Sequence, residues 1–347
     1  SFNRKEYLPR EFPKRTVSFK STYDIMSPSD KFLRTDKDNV FTAFKWAKVD
    51  AMMFYNRQQL TLEREEEWGM KTTLSLRTEE NEAAGSLFFE KLSNFFPPII
   101  FPDTDVSSLL HNGKIRTTEL RFELEIAPGR TFINTKQRRI AINLEAPVIT
   151  LSHAVGLNGV LGGQYRYNFS EVGLLKRFWL RSWGKFDVQL RAGAQWDKVP
   201  FPLLIMPAAN LSYIVQRGAF NLINNMEFLN DRYASVDLAW DMNGKIFNRI
   251  PLLKKLKWRE YIGFKSLWGS LTDKNNPFLF QNMGDATLMY FPEGSHVMNP
   301  KRPYMELIVG VHNIFKLFHV QYVRRLNYNE LPTAHKQGVR LMMRMSF

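Results

Sequence analysis

Glu119, Arg121, Glu123 and Glu125 stand at every second position of the stretch TELRFELEIA, residues 118–127. Carboxylates this close could share a proton and divide the work of general acid and general base. Charges that alternate along one strand, however, meet opposite charges on neighbouring strands, and Arg139 is available for that role. A salt-bridge network is therefore the simpler expectation. The six histidines, at positions 111, 153, 296, 312, 319 and 335, show neither HExxH nor paired i, i+4 ligand spacing. His312 and His319 flank a predicted turn and read as turn or interior residues. GLNGVLGG (156–163) has the glycines of a phosphate loop, but strands flank it and no Lys-Ser/Thr follows, so a tight hairpin or bulge fits better. No GxSxG elbow or P-loop occurs. Cysteine is absent, which excludes a disulfide framework, a thiolate zinc site and a cysteine nucleophile. These residues predict no catalysis, no metal and no cofactor.

The elements that would position those charges are strands. Between Glu119, Arg121, Glu123 and Glu125 lie Leu120, Phe122, Leu124 and Ile126, and a strand sends the two sets to opposite faces. In FDVQLRAGAQWD, Phe186, Val188, Leu190, Ala192, Ala194 and Trp196 oppose Asp187, Gln189, Arg191, Gln195 and Asp197. In RIAINLEAPV, Ile140, Ile142, Leu144, Ala146 and Val148 oppose Arg139, Asn143 and Glu145. The same reading predicts strands over 17–25, 70–77, 163–170, 210–215, 234–243, 257–267, 304–311, 319–326 and 339–347. Helical periodicity is nearly absent. The strand and turn signals together predict roughly 12 to 14 strands.

One such segment fits a soluble sheet on a core as well as a membrane barrel. The chain as a whole favours the barrel, because polar residues run the length of the second face and aromatic residues sit near strand ends. Aromatics make up 14% of the 347 residues. No run of about 18 apolar residues occurs, which excludes a membrane-spanning helix but not a spanning strand. The net charge of +14 is spread along strands and turns, with short clusters such as LLKKLKW (252–258) and no nucleic-acid motif, so anionic lipid or a basic lumen accounts for it. In this frame Glu119, Arg121, Glu123, Glu125, Arg139, Asp187, Arg191, Asp237, Asp241, Arg340 and Arg344 face the lumen.

The last stretch, GVRLMMRMSF, puts Val339, Leu341, Met343, Met345 and Phe347 on one face and Arg340 and Arg344 on the other. A final strand ending in Phe resembles the carboxy-terminal assembly signal of bacterial outer-membrane barrels. With Phe347 at the periplasmic end, alternation of strand direction makes 326–339 an external hairpin, 272–302 and 216–231 external loops, and GKIFNRIPLLKKLK (244–257) periplasmic. Two Pro-rich apolar stretches, NFFPPIIFPD (94–103) and VPFPLLIMP (199–207), cannot be central strands because each Pro removes a ladder donor. By the same count both are periplasmic, and Phe95, Phe96, Ile99, Ile100, Phe101, Phe201, Leu203 and Leu204 are candidates for docking a partner or packing in the barrel mouth.

KFLRTDKDNVF (31–41), AGSLFFEKL (84–92), KVPFPLLIMPAANLSY (198–213), MEFLNDRYASVDL (226–238), IPLLKKLKWRE (250–260) and PYMELIVGVHNIFK (303–316) resemble a Bacteroidota outer-membrane family of unknown function. Its full-length members carry an amino-terminal carboxypeptidase-regulatory-like sandwich before a carboxy-terminal barrel. About five strands follow the 216–231 loop, which more distantly resembles the outer-membrane insertase and two-partner secretion transporter superfamily. That superfamily's inward loop carries Val/Ile-Arg-Gly-Phe/Tyr. QRGAF (216–220) has one residue too many, and NDRY (230–233) is a second imperfect match, so Arg217 or Arg232 would be the inward arginine, paired with Asp237 or Asp241.

The expectation is a non-enzymatic transmembrane up-and-down β-barrel of about 12–16 strands, the carboxy-terminal part of a larger outer-membrane protein, with some strands supplied from upstream. Its partners would be outer-membrane lipid, lipopolysaccharide and other envelope proteins, not nucleic acid. Its role would lie in protein assembly or secretion, with a small-solute channel as the alternative and a soluble all-β binding protein as the third reading.

Overall fold

Over 114–126 the alternation becomes a strand with two unlike faces: Glu119 is 4% exposed whereas the next residue, Leu120, is 39% exposed. The computed structural model describes residues 12–32, 45–46, 50–94, 113–134 and 139–343. Within them lie fourteen strands, one short α-helix and several 3-10 turns. The strands are β1 (Lys14–Met26), β2 (Ala51–Glu65), β3 (Met70–Gly85), β4 (Lys114–Ile126), β5 (Phe132–Asn134), β6 (Arg139–Ala141), β7 (Val148–Gly156) and β8 (Tyr167–Trp179). They continue with β9 (Lys185–Gln195), β10 (Arg232–Asp241), β11 (Arg259–Ser270), β12 (Tyr304–Ile314), β13 (Phe318–Arg325) and β14 (Gln337–Met343); α1 is Pro251–Leu256.

Twelve of these strands form one sheet in chain order, β1 to β4 and then β7 to β14, with every neighbour antiparallel. β5 and β6 make a separate hairpin between β4 and β7. β1 and β14 are the sheet's two edges. Up-and-down order sends the connections alternately to two ends. Residues 66–69, 127–147, 180–184, 242–258 and 315–317 lie at what we term the turn end, and 157–166, 196–231, 271–303 and 326–336 lie at the loop end.

The core lies on the inner face and is built around one connection, 196–231. Phe201, Leu204, Met206 and Leu229 from it pack with Met53 of β2, Ala83 of β3 and Ile115 of β4. Phe220, Ile223 and Phe228 pack with Leu267 of β11 and Tyr304 of β12, and Leu222 packs with Ile308 of β12 and Val323 of β13. Because the loop touches both arms, the sheet curls around it. Each fully buried Phe or Leu contributes roughly 1.5–3 kcal/mol. The outer face is apolar and exposed instead: Phe19, Leu62, Phe122, Val172, Leu190, Val309 and Leu341 all project outward.

Three expectations are corrected. The strand over 139–148 breaks: β6 ends at Ala141, Asn143 Oδ1 accepts the Glu145 N–H at 3.1 Å, and Pro147 has no donor to give, so the long strand is β7. Arg139 consequently sits on the β5–β6 hairpin rather than on the inner wall, where it pairs with Glu65 at 2.7 Å and covers the Phe132 ring. Residues 210–215 form no sheet strand, because Asn210 Oδ1 accepts the Ser212 N–H and Ser212 Oγ accepts the Ile214 N–H, replacing ladder bonds with local turns. The Pro-rich 199–207 and 216–231 thus belong to one connection, and Phe201, Leu203 and Leu204 lie at the loop end rather than the opposite one. Phe201 and Leu204 are buried there, so they are core and not a docking surface. Phe95, Phe96, Ile99, Ile100 and Phe101 fall outside the described residues, as do Arg344, Met345 and Phe347.

Phe228 is fully buried between Tyr304 and Tyr328, with ring centroids at 5.9 and 5.3 Å. Phe228→Ala is expected to cost about 3–5 kcal/mol in denaturant unfolding in detergent, while Phe280→Ala, on a side chain 87% exposed, stays within about 0.5 kcal/mol.

Candidate functional site: a loop anchored inside the sheet

A connection folded inward must find partners for its backbone groups away from bulk water. For 196–231 those partners are inward side chains of β11 to β14. Period-two alternation puts Tyr304, Glu306 and Ile308 of β12 on the inner face, together with Val323 and Arg325 of β13 and Arg340 of β14. The Glu306 carboxylate accepts the backbone N–H of Leu222 at 2.8 Å and of Asn221 at 3.0 Å, the Asn221 amide at 3.3 Å and the Tyr304 hydroxyl at 2.7 Å. Arg325 donates to Glu227 at 2.6 Å, with both side chains fully buried. It also donates to the carbonyls of Leu222, Asn327 and Tyr328 and lies 4.8 Å from the Tyr304 ring centre. Lys265 of β11 donates to the Ala219 carbonyl at 2.6 Å and pairs with Asp237 at 3.1 Å. Arg340 donates to the Asn221 carbonyl.

The loop is tied at its rim as well. Asp231 accepts from the Thr272 N–H and the Asn275 amide, both at 3.0 Å, joining 196–231 to the next long loop, 271–303. Lys198 pairs with Asp285 across the same two loops. Burial pushes the Asp285 carboxyl up, but Lys198 and the N–H groups of Thr287 and Leu288 outweigh it and hold the carboxyl below its usual range. Trp46, between β1 and β2, donates through Nε1 to the Asn210 carbonyl at 2.9 Å, meets His335 edge-on at 4.4 Å and lies beneath the Arg340 guanidinium at 4.6 Å. Tyr213 and Val215 pair in parallel with Leu341 along the free edge of β14, with N–H to carbonyl distances of 2.7 and 2.8 Å.

Among the described residues, two of the spaces inside have charged walls. One, about 170 Å³, lies between the loop and the inner wall at Arg77, Glu119, Arg121, Tyr167, Arg191 and Gln195. Glu119 there accepts from Arg121 at 2.8 Å, Tyr167 at 2.8 Å and Arg77 at 3.2 Å. Glu123 lies 3.7 Å from Arg121, and Glu125 lies 3.7 Å from Arg130. The second, about 620 Å³ and nearer the turn end, is walled by Asp187, Asp237, Asp241, Lys265, His312 and His319. Asp187 there takes a two-pronged contact from Arg177 at 2.6 and 2.7 Å, and Asp241 lies 3.9 Å from Lys185. Arg217 borders this chamber together with Asp237 and Asp241, whereas Arg232 stands exposed on the outer face, so of the two candidate arginines only Arg217 turns inward. Val339, Leu341 and Met343 project outward from β14.

Charges of both signs neutralise one another along these walls, an arrangement suited to holding a shape. Among the described residues no group of three or more His, Cys, Asp or Glu side chains converges as metal ligands would. Sequence reading missed Glu227, Glu306, Arg325 and Trp46. The available signal was the nearly unbroken apolar run YMELIVGV (304–311), which marks a strand apolar on both faces, with Glu306 its lone charge.

The comparisons bear on this geometry. Residues 38–278 match the model of a family of unknown function (DUF5686), C-terminal domain. The chain belongs to that family. No curated protein matches it. Among solved structures it is similar to the crystal structure of BamA from Haemophilus ducreyi lacking POTRA domains 1-3, with a TM-score of 0.52 at 10% identity. The alignment covers 94% of this chain and 59% of that one, so this chain spans about three-fifths of that chain's length. At that identity the likeness is one of fold: an all-β, antiparallel, up-and-down sheet. No helix among the described residues is long and apolar enough to cross a membrane.

Two outcomes test the anchoring. Arg325→Met strands the Glu227 carboxylate and is expected to cost about 3–5 kcal/mol in denaturant unfolding, part of which returns in the Arg325→Met, Glu227→Met double variant. Recovery stays partial because three carbonyls and the Asn224 N–H lose partners. Burial pushes the His335 imidazole below its ordinary value of 6.5; Arg325 and Arg340 push the same way against Glu227. The unfolded chain therefore binds the proton more readily. Stability is complete above about 6.5 and declines as pH falls through the depressed folded value. His335→Gln should flatten that part of the pH profile of the unfolding midpoint.

Proposed function

We propose that this chain is the membrane-spanning barrel domain of a larger, Bacteroidota-type outer-membrane protein, a non-enzymatic component or relative of protein assembly and secretion machinery. The single observation that carries this reading is the loop 196–231, locked across the inside of the sheet by Glu306, Arg325, Lys265 and Arg340. A solute channel needs a continuous polar bore, whereas here fully buried side chains such as Phe201, Leu222 and Phe228 fill the loop's side of the interior. The exposed apolar outer face suits lipid, and the likeness to the BamA fold supports the outer-membrane setting.

In lipid the backbone of both edges must be paired. β1 is a long edge strand of 13 residues, and β14 has 7. Closure then comes from strands upstream of β1 or from contact between the two edges, and the family resemblance favours a longer protein. Other envelope proteins are the expected partners.

The test is a gentle detergent pull-down of the tagged full-length protein from native outer membranes, with stoichiometry by mass spectrometry. Stoichiometric recovery of an assembly or secretion subunit supports the reading. Recovery of the protein alone, joined to steady conductance of the wild type in planar bilayers, would replace it with the channel. The expected bilayer result is a closed wild type and flickering openings in Glu306→Gln, whose weaker grip on Asn221 and Leu222 loosens the loop.

A further inference from the structure

The turn end carries a surface that the anchored loop does not use. The β8–β9 turn and its flanks read KRFWLRSWGK (176–185), with four cations and no acid; the β10–β11 connection reads MNGKIFNRIPLLKKLKW (242–258), with five cations and no acid. The two are packed together. Trp240 Nε1 donates to the Trp183 carbonyl at 2.9 Å, the two indoles lie 6.0 Å apart, and Lys245 donates to Ser182 Oγ at 3.0 Å while standing 5.3 Å over the Trp183 ring. Gly184, at φ 81°, lets the turn approach the Asp241 carbonyl more closely than a side chain would permit.

Both kinds of side chain face solvent. Trp179, Trp183, Ile246, Ile250 and Leu252 are exposed, Leu252 at 67% on α1 beside Lys254 and Lys255. The aromatic members stand at the rim of the apolar outer face: Phe178, Phe186 and Trp240 share one outward row across β8, β9 and β10. The nearby carboxylates are already taken, two of them by cations of the β8–β9 segment. Glu260 turns to the Phe247 N–H, Asp187 is held by Arg177, and Asp241 lies by Lys185. The five cations of the β10–β11 connection therefore keep their positive charge, with no ion pair to any of them among the described residues.

Indole and phenyl rings settle at the boundary between hydrocarbon and headgroup, and long basic side chains reach past them to phosphate. A protein partner would leave the outward aromatic row without explanation, whereas a lipid leaflet meets rings and cations in the order in which they stand. We propose that this surface binds the phosphate headgroups of anionic phospholipids in the leaflet bordering the turn end, with Lys245, Arg249, Lys254, Lys255 and Lys257 as the cations and Trp183 and Trp240 as the interfacial anchors. The proposal rests on the membrane-spanning reading above.

The experiment is tryptophan quenching in the full chain reconstituted into phosphatidylcholine vesicles that contain a minor fraction of either brominated phosphatidylglycerol or brominated phosphatidylcholine. Enrichment of the anionic lipid at the surface should make phosphatidylglycerol the stronger quencher, by about two-fold at low salt and less at high salt. Replacing the five cations with Gln, all outside the core, should bring the ratio to one while leaving total quenching in place. Trp183→Phe with Trp240→Phe should remove the lipid-selective part of the signal. Equal quenching by the two lipids in the wild type overturns the headgroup site and leaves the membrane-spanning reading standing; no quenching by either overturns both.

Discussion

Folding residues 196–231 into the sheet obliges the protein to satisfy many peptide groups that bulk water would otherwise serve. That requirement organises the inner face. Glu306 takes two backbone N–H groups and Arg325, Lys265 and Arg340 take carbonyls, so each of these four inward charges on β11 to β14 corresponds to an otherwise orphaned group on the loop. The penalty for burying Arg325 and Glu227 is offset because neither is left with an idle donor or acceptor end: each reaches the other and a backbone group besides. On β3, β4 and β9 the inward charges pair mainly with neighbouring strands, as Glu119 does with Arg77 and Asp187 does with Arg177. The interior therefore has two kinds of wall, one that grips the loop and one that braces itself.

Much of the sheet was legible in the chain because lipid-type and water-type residues alternate with the pleat. TELRFELEIA and FDVQLRAGAQWD became β4 and β9 with their expected faces, and five strands do follow the long loop. β2 stayed hidden because Asn56 and Gln58 interrupt the row that Phe54, Leu60 and Leu62 continue, so the local pattern lost its period. Residues 210–215 misled because Asn210 and Ser212 can capture backbone N–H groups locally, and propensity does not record which competitor wins. The anchoring pairs were harder still. Glu227 and Arg325 are far apart in the chain, and only the curl of the sheet brings them to 2.6 Å.

The comparison at 10% identity fits this division of labour. Alternation and turn length suffice to specify an up-and-down sheet, so two chains with few side chains in common can share the architecture. What the interior holds is a separate matter, decided by a handful of residues such as Glu306 that face one particular loop. The match to the family covers residues 38–278, which include the loop, while most of its clamps come from β12 to β14 beyond the matched residues.

The backbone bonds from Tyr213 and Val215 to Leu341 join that loop to the outermost strand. Mechanically, the loop and the β14 edge therefore form a single unit. A deletion that removes residues 213–215 to clear the interior also strips the free side of β14, and a lesion at Leu341 that bends the strand also slackens the loop. Defects introduced at either end of this connection would therefore resemble each other, and separating them calls for substitutions at Glu306 or Arg325, which hold the loop without touching the edge.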